Sequence, residues 1–511
     1  MEIIRVACNR LILQLEKRLN FIFGNDMNPM YHLGTLSFFF FWVILGSGIY
    51  VFIPFETSVL HAYQSVEYMT KEQWWLAGIM RSLHRYASDA VVITIFLHLV
   101  REFARDRYRG VRWFSWFTGI PTLWLVVLLG ISGYWLVWDM LAQYVALGTA
   151  ELIDWLPVIP SSMILNFLDG QVSDRFFTLM AFLHLLGIPV ALVFMTWTHV
   201  SRISQIKVMP PRGLAIGSFV ALLVLSLLKP AVSHEAADLT RAPMVLHIDW
   251  FYLNIYPFID RFGAGWAWAF STGVTVLFML FPWLPPRRDP PPAQVVLPNC
   301  TGCGGCARDC PFGAASMQPR SDGRRNTPFE SVIDPSLCTA CGICLGACTT
   351  ANPFRQTGQT LTVGIDMPGF TLDRMRQETD QALAALTGEQ PILVFGCERG
   401  ANLAECRGAD VAVVALPCTG MVHPAFLDYA LKKGAAGVVV TGCRAGDCYY
   451  RLGNWLVEER LAGSREPHLT KRVERERIAV VWAGRGDEAS LQRQIDAFRQ
   501  EKLVHKAKRD E

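Results

Sequence analysis

The chain has 511 residues, 52% of them hydrophobic and 18% charged, with a formal net charge of +3. At about 150 residues per domain, this length implies several domains. Soluble proteins run nearer a quarter charged, so an ordinary soluble enzyme, a coiled coil and a disordered chain are excluded, and the small net charge gives no reason to expect nucleic acid.

The composition changes near residue 290. All the long apolar runs precede it, and thirteen of the fourteen cysteines follow it, Cys8 being the exception. The cysteines lie two and three residues apart, a pattern of metal or cluster ligation rather than of a disulfide framework. Thiolate ligands need a reducing compartment, which places the second part in the cytoplasm.

Residues 1–24, with Arg5, Arg10, Lys17 and Arg18 among Ile and Leu, are predicted as a basic amphipathic surface helix. Six apolar stretches follow, at 33–53, 87–103, 119–138, 177–200, 213–229 and 264–284. Each is close to the roughly 20 residues that cross a hydrocarbon core as a helix. The expected architecture over 25–285 is an all-α transmembrane bundle. Arg101, Arg105, Arg107, Arg109 and Arg112 lie between the second and third stretches, Arg202, Lys207 and Arg212 between the fourth and fifth, and Arg287 and Arg288 after the sixth. These basic loops put the N-terminus and everything beyond the bundle on the cytoplasmic side.

His84 and His98 are 14 residues apart on the second helix, and His184 and His199 are 15 apart on the fourth. Along a helix these intervals are about 21 and 22 Å, and each pair shares one face. The two helices run the same way, so His84 meets His184 near the outer surface and His98 meets His199 near the inner one. That makes two bis-histidine haem b sites. Ionisable side chains at such depth are functional by default, and four at matched depths are too many for structural histidines. Gly34 and Gly48 on the first helix, and Gly119 and Gly133 on the third, repeat the 14-residue interval. A missing Cβ there lets a helix backbone approach a flat macrocycle.

With these spacings, and with Arg81-Ser-Leu-His84-Arg85 and Gly133-Tyr-Trp-Leu-Val-Trp138-Asp139, residues 25–285 resemble cytochrome b of the quinol–cytochrome c and plastoquinol–plastocyanin oxidoreductase family. Residues 213–285 resemble the first helices of the separate subunit IV of the chloroplast type. The resemblance implies that Arg81 and Arg85 pair with haem propionates, that quinone or quinol is the substrate, and that the chain is a homodimer within a larger complex of a prokaryotic cytoplasmic membrane. His32 stands where the chloroplast type carries a cysteine for an extra haem, so that haem is not expected. Ile248-Asp249-Trp250-Phe251 stands where the family has Pro-Glu-Trp-Tyr. Asp249, with Trp138, is then the candidate for an outer quinone site, its carboxylate able to take a quinol proton. The chain has no Rieske-type Cys-Thr-His motif.

A Pro-rich linker is expected at 286–298, then a ferredoxin-like domain at 299–356. Its two runs are Cys300-x2-Cys303-x2-Cys306-x3-Cys310-Pro311 and Cys338-x2-Cys341-x2-Cys344-x3-Cys348. In this bacterial two-cluster signature the fourth cysteine of each run ligates the other cluster. One 4Fe–4S set is therefore Cys300, Cys303, Cys306 and Cys348, and the other is Cys338, Cys341, Cys344 and Cys310. Zinc competes for any four-cysteine site, but the interlocked runs argue against it.

A connector at 357–390 with a helix at 371–386 leads to residues 391–511. There, apolar runs at Ile392–Phe395, Val411–Leu416, Gly437–Val440 and Ile478–Trp482 alternate with helical patterns, the signature of a small α/β parallel-sheet domain. Cys397, Cys418 and Cys443 sit at or just past strand ends, with Cys448 five residues on, and open α/β sheets gather ligands at the carboxyl ends of their strands. Leu416-Pro-Cys418-Thr-Gly and Thr441-Gly-Cys443-Arg-Ala-Gly-Asp447-Cys448-Tyr resemble the delta subunit of the methyl-viologen-reducing hydrogenase. That resemblance implies one 2Fe–2S cluster on Cys397, Cys418, Cys443 and Cys448, with Cys406 as an alternative ligand, and a cytoplasmic flavin-containing, heterodisulfide-reductase-like dehydrogenase as partner. The parts together read as an electron-transfer subunit between that dehydrogenase and the quinone pool. The alternatives are outer-face quinol oxidation driving electrons inward, and a membrane anchor for a soluble redox complex.

Overall fold

The computed structural model describes residues 2–157, 162–168, 172–201, 208–241, 245–284, 290–388, 390–406, 408 and 410–504. Arg202, Lys207, Arg287 and Arg288, which entered the orientation argument, lie outside the described residues, as do the start of the linker and the last seven residues of the charged tail. The chain divides into two compact units whose boundary falls at Pro286.

The first unit is helical. Four stretches are long and apolar enough to cross a membrane: Leu33–Phe52, Gly110–Val137, Asp174–Val200 and Ala264–Trp283. The expectation was six. Helix Ile79–Ala104, at 26 residues, is long enough, but Arg81, Arg85, Asp89, Arg101 and Glu102 make its ends polar. Arg212–Leu228 has 17 residues, about 26 Å of helix, slightly short of a hydrocarbon core of about 30 Å.

Leu33–Phe52 packs along Ile79–Ala104, and Trp113–Val137 packs along Ile188–Val200. The fourth expected span is not a uniform helix: a π-turn at Leu183–Gly187 carries His184. Such a turn inserts one residue into the helical repeat. The 15-residue interval from His184 to His199 therefore keeps nearly the phase of the 14-residue interval from His84 to His98.

The segment after Arg212–Leu228 is bound to the ends of these helices. Ser82 Oγ accepts from the Ala231 amide at 2.9 Å, and Met140 N donates to Glu235 O at 2.8 Å. Asp139 caps Met140–Asp154 by accepting from Ala142 N at 2.9 Å, while its other oxygen accepts from His234 N at 2.9 Å. Two glycines admit aromatic rings to this core. A Cβ on Gly130 would fall 2.2 Å from the Tyr252 ring, and one on Gly148 would fall 2.5 Å from Tyr256.

The N-terminal helix spans Glu2–Met27. Its outer face exposes Ile3, Leu11, Phe21 and Ile22, as an interfacial helix requires. Its inner face is fixed by a charge. Glu16, fully buried, pairs with Arg101 Nε at 2.9 Å and with Arg105, and its carbonyl accepts from Asn28 Nδ2 at 2.9 Å.

In the second unit, a four-stranded parallel sheet has the order Ile478–Trp482, Gly437–Gly442, Ile392–Cys397, Val411–Leu416. Two of its strands, Ile392–Cys397 and Gly437–Gly442, are buried along their whole length, which is why they read as unbroken apolar runs. Helices Ala425–Lys432, Gly453–Ala462 and Glu488–Phe498 connect or follow the strands. Before the sheet, two short helices, Gly305–Asp309 and Ile343–Gly346, and the antiparallel pair Ala315–Pro319 and Phe329–Ile333 form the ferredoxin-like part. The connector helix spans Leu372–Ala384.

Removing one partner of a buried ion pair strands the other in low dielectric, at a cost of about 3–5 kcal/mol. Glu16→Ala is therefore expected to release the N-terminal helix and lower the thermal midpoint in detergent. Limited proteolysis near residues 18–28, faster than in the wild type, is the check.

Candidate electron-transfer sites

The structure brings the four histidines together as two pairs. The rings of His84 and His184 face each other with centroids 6.3 Å apart. Two imidazoles on one metal, each through a bond of about 2 Å, have their centres roughly this far apart. His98 and His199 are likewise close enough to interact electrostatically.

Each ring lies on a glycine of the neighbouring helix. A Cβ on Gly48 would stand 2.8 Å from His84 Cε1, one on Gly133 3.0 Å from His184 Cε1, one on Gly119 3.2 Å from His199 Cε1, and one on Gly34 3.7 Å from His98 Cε1. The 14-residue spacing of these glycines predicts a close approach to a macrocycle. The immediate neighbour of each is an imidazole.

The same glycines explain the tautomers. His84 Nδ1 lies 2.9 Å from Ile44 O. A carbonyl only accepts, so Nδ1 carries the proton and Nε2 keeps its lone pair for a metal. His184 hydrogen-bonds the backbone at Leu129, and His199 hydrogen-bonds it at Ser115. Ile44, Leu129 and Ser115 each stand four residues before Gly48, Gly133 and Gly119. In all three cases the imidazole crosses the glycine to reach the helix carbonyl one turn earlier. A hydroxyl from the preceding residue also approaches Nδ1: Ser47 on His84 at 3.3 Å, Ser132 on His184 at 3.0 Å and Thr118 on His199 at 3.3 Å. The Ser-Gly and Thr-Gly pairs were visible in the sequence but were not used.

The two arginines differ. Arg81 Nη2 donates to Ser233 Oγ at 2.8 Å and its other arm to Thr70 Oγ1. Both partners are neutral, which suits a cation that also meets a carboxylate. Arg85 is already held by two carboxylates, Asp89 and Asp249, the latter at 2.5 Å. Its expected role as a propionate partner is thus in competition with protein ion pairs. Asp249 is buried and saturated. Oδ2 accepts from Arg85 and from Tyr134 OH at 2.9 Å, and Oδ1 accepts from the amides of Phe251 and Tyr252 at 2.8 and 2.7 Å. A quinol approaching Asp249 would have to compete with these four donors for its oxygens. Trp138 ends its helix in the left-handed region at φ 54° and packs against Phe177, ring centres 5.5 Å apart.

In the second unit the two runs of ferredoxin cysteines lie side by side, and Cys344 has Cys306 of the other run among its neighbours. Cys306 has Cys303 and Cys348 as electrostatic neighbours, while Cys341 and Cys344 have Cys310 and Cys338. One cavity is lined by Cys310, Cys338, Cys341 and Cys344 with the apolar side chains of Phe312 and Ile343. Burial pushes the Cys341 thiol up to about 12, so binding iron there must displace a proton. Cys300 is buried, and Cys303 is the exposed member of its set.

Cys397, Cys443, Cys448 and Cys418 form a chain of sulfur contacts, 397 to 443, 443 to 448 and 448 to 418. Cys406 stands apart, packed in a separate apolar cluster with Glu405 and Glu488 as its electrostatic neighbours. Among the described residues no three His, Cys, Asp or Glu side chains close around the point of a single ion.

Residues 19–207 match the family described as cytochrome b/b6/petB, residues 299–352 the 4Fe-4S dicluster domain, and residues 392–503 the methyl-viologen-reducing hydrogenase, delta subunit. The menaquinol:cytochrome c reductase cytochrome b subunit of Geobacillus thermodenitrificans is 26% identical over 186 residues, 34% of this chain and 81% of that protein. Cytochrome b6 of Gracilaria tenuistipitata var. liui is 30% identical over 168 residues, 32% of this chain and 76% of that protein. A solved structure, hyperthermophilic respiratory Complex III, aligns with a TM-score of 0.42 at 19% identity, over 50% of this chain and 75% of that one.

Two predictions follow from the contacts. Gly48→Ala and Gly133→Ala push a Cβ into an imidazole, so pyridine-haemochrome analysis should show loss of about one haem per chain, whereas Gly34→Ala, with the widest gap, should keep its haem. Cys443→Ser should lose iron and acid-labile sulfide, while Cys406→Ser should retain both. Haem b goes with the cytochrome b match and iron–sulfur clusters with the dicluster match, and through its N-terminal part the chain belongs to the cytochrome b/b6 family.

Proposed function

We propose that this chain is the membrane subunit of a quinone-linked oxidoreductase, carrying electrons between a cytoplasmic, flavin-containing dehydrogenase and the quinone pool. Haem b and iron–sulfur clusters, when bound, supply one-electron transfer, and the chain's residues hold and space them. His84 with His184 would hold the outer haem and His98 with His199 the inner one, with Arg81 on a propionate. Cys300, Cys303, Cys306 and Cys348 would hold one 4Fe–4S cluster, Cys310, Cys338, Cys341 and Cys344 the other, and Cys397, Cys418, Cys443 and Cys448 a 2Fe–2S cluster.

The observation that carries this reading is the paired imidazoles, each seated on a glycine, with the Nδ1 proton of His84 committed to a helix carbonyl. A second observation gives the order of the soluble part. Cys418 and Cys341 belong to one packed cluster, and Cys344 neighbours Cys306. These two contacts support an order in which the set on Cys310, Cys338, Cys341 and Cys344 stands between the other two.

The rest of the reading extends these points. The bundle of 25–285 would cross six times, helices beyond residue 207 serving as the subunit IV-like part, with the linker of 286–298 leading to domains at 299–356 and 391–511 on the cytoplasmic side. Homodimerisation within a larger complex belongs to the same reading. Outer-face quinol oxidation with Asp249 as proton acceptor is less well supported, because that carboxylate already accepts from Arg85, Tyr134 and two amides. The intact paired histidines likewise favour an electron carrier over a mere anchor.

The test is anaerobic, on the full chain purified with its native partners. Reduced through its soluble side, it should pass electrons to a quinone analogue while the b-haem absorbance changes. If clusters reduced with dithionite never reduce the analogue, and a quinol analogue never reduces the haems, the proposal fails.

A further inference from the structure

Four residues outside the proposed ligand sets join the two iron–sulfur parts of the second unit. Asp309, almost wholly buried, immediately precedes Cys310. Its Oδ2 accepts from Arg460 Nη2 at 2.7 Å, and its Oδ1 accepts from Arg465 Nη1 at 2.7 Å. Arg460 lies on the helix Gly453–Ala462 of the α/β part and is 0% exposed. Its other arm, Nη1, donates to Gly420 O at 2.8 Å, and Gly420 is two residues past Cys418. One planar guanidinium therefore spans the residue before a ferredoxin ligand and the turn after a ligand of the α/β part.

A third arginine grips the same loop from its other side. Arg451 Nη1 donates to Pro311 O at 2.8 Å. Pro311 follows Cys310, and Arg451 is three residues past Cys448. Cys310 thus sits between two positions held by arginines from the other domain. The backbones are pressed together at this contact: a Cβ on Gly346 would lie 2.2 Å from Gly420 O and 2.7 Å from Arg460 Nη1.

We propose that Arg460, assisted by Arg451, is a positioning residue for electron transfer between the four-thiol set of the α/β part and the ferredoxin set that contains Cys310. The inference rests on the cluster assignment given above. One electron leaves the reduced centre and enters the oxidised one, with no bond made or broken, so the protein's contribution is distance and orientation. A buried cation between two anionic thiolate sets also allows them to approach, but a charge alone would not need the two-armed fork. Lysine keeps the charge and loses that fork.

The experiment uses the full chain, loaded with iron, as wild type, Arg460→Gln, Arg460→Lys and Arg451→Gln. Iron and acid-labile sulfide are counted, and electron paramagnetic resonance is recorded after dithionite reduction, together with the rate of electron equilibration between centres after a rapid pulse of a one-electron viologen reductant. Arg460→Gln is expected to keep both kinds of signal, to lose the magnetic interaction that speeds relaxation of the 2Fe–2S signal, and to equilibrate several-fold more slowly. Arg460→Lys should resemble it. Unchanged relaxation and rate in iron-loaded Arg460→Gln, or full restoration by lysine, would overturn the positioning role. If Arg460→Gln does not load iron, Arg451→Gln decides by the same two readouts. A wild-type chain with no 2Fe–2S signal would overturn the cluster assignment itself rather than the clamp.

Discussion

An imidazole presents a lone pair to a metal only when its proton is fixed on the other nitrogen. The membrane unit depends on how that proton is fixed. A helix carbonyl already accepts from the amide four residues on, but it has a second lone pair. The side chain of that later residue normally hinders access to it. Placing glycine there opens the carbonyl, and His84 enters over Gly48 to reach Ile44. His184 and His199 repeat the arrangement over Gly133 and Gly119. Glycine inside a helix costs about 1 kcal/mol relative to alanine. The bundle carries that cost at Gly48, Gly119 and Gly133, where the glycine admits the imidazole to the carbonyl one turn earlier.

The carboxylates of the same unit have a different use. Glu16 binds two arginines, Asp139 joins two segments of backbone, and Asp249 accepts four donors. This bears on how an Asp249 variant should be interpreted. Truncating it would leave the Arg85 guanidinium without one of its two carboxylates and two amides without an acceptor, each a penalty of its own. Lost quinol chemistry in such a variant would therefore not distinguish a proton acceptor from a structural anion. Tyr134→Phe removes one of the four donors while keeping the fold's shape, and so frees a lone pair on the carboxylate without leaving a charge unpaired.

The histidine and ferredoxin-cysteine patterns were legible because helical periodicity and short ligand loops are local. What faced each element was not. The 14-residue glycine interval was visible, but only the packed helices reveal that Gly34, Gly48, Gly119 and Gly133 receive imidazoles. The His184–His199 interval is one residue longer than the His84–His98 interval, and the π-turn at Leu183–Gly187 absorbs the extra residue. Cys406 could not be separated from the other α/β cysteines by spacing, since convergence at strand ends is set by the sheet; it packs beside Leu403 and Leu491 in an apolar cluster, apart from the four thiols in mutual contact. The expected span at 87–103 was counted from its apolar middle. The helix that contains it is longer and carries charge at both ends, and those same charges form the ion pairs of Arg85 and Arg101.

The soluble parts apply the same economy of space to a different end. Cys418 and Cys341 share one packed cluster with Ile343 and Leu456, so two ligand sets from separate folding patterns meet within a single core. That closeness requires glycine at the contact. A Cβ on Gly342 would lie 2.8 Å from Met421 Sδ, and one on Gly420 would lie 2.8 Å from Ile343 Cγ1. Two domains joined only by a connector could not define a separation to better than the connector's own freedom. Interlocked backbones and a fully buried Arg460 can, because displacing either domain would strand a guanidinium or a carboxylate in low dielectric. The nearness of Cys418 to Cys341 is thus set by the packing of this unit, with the Asp309–Arg460 ion pair buried in the same contact.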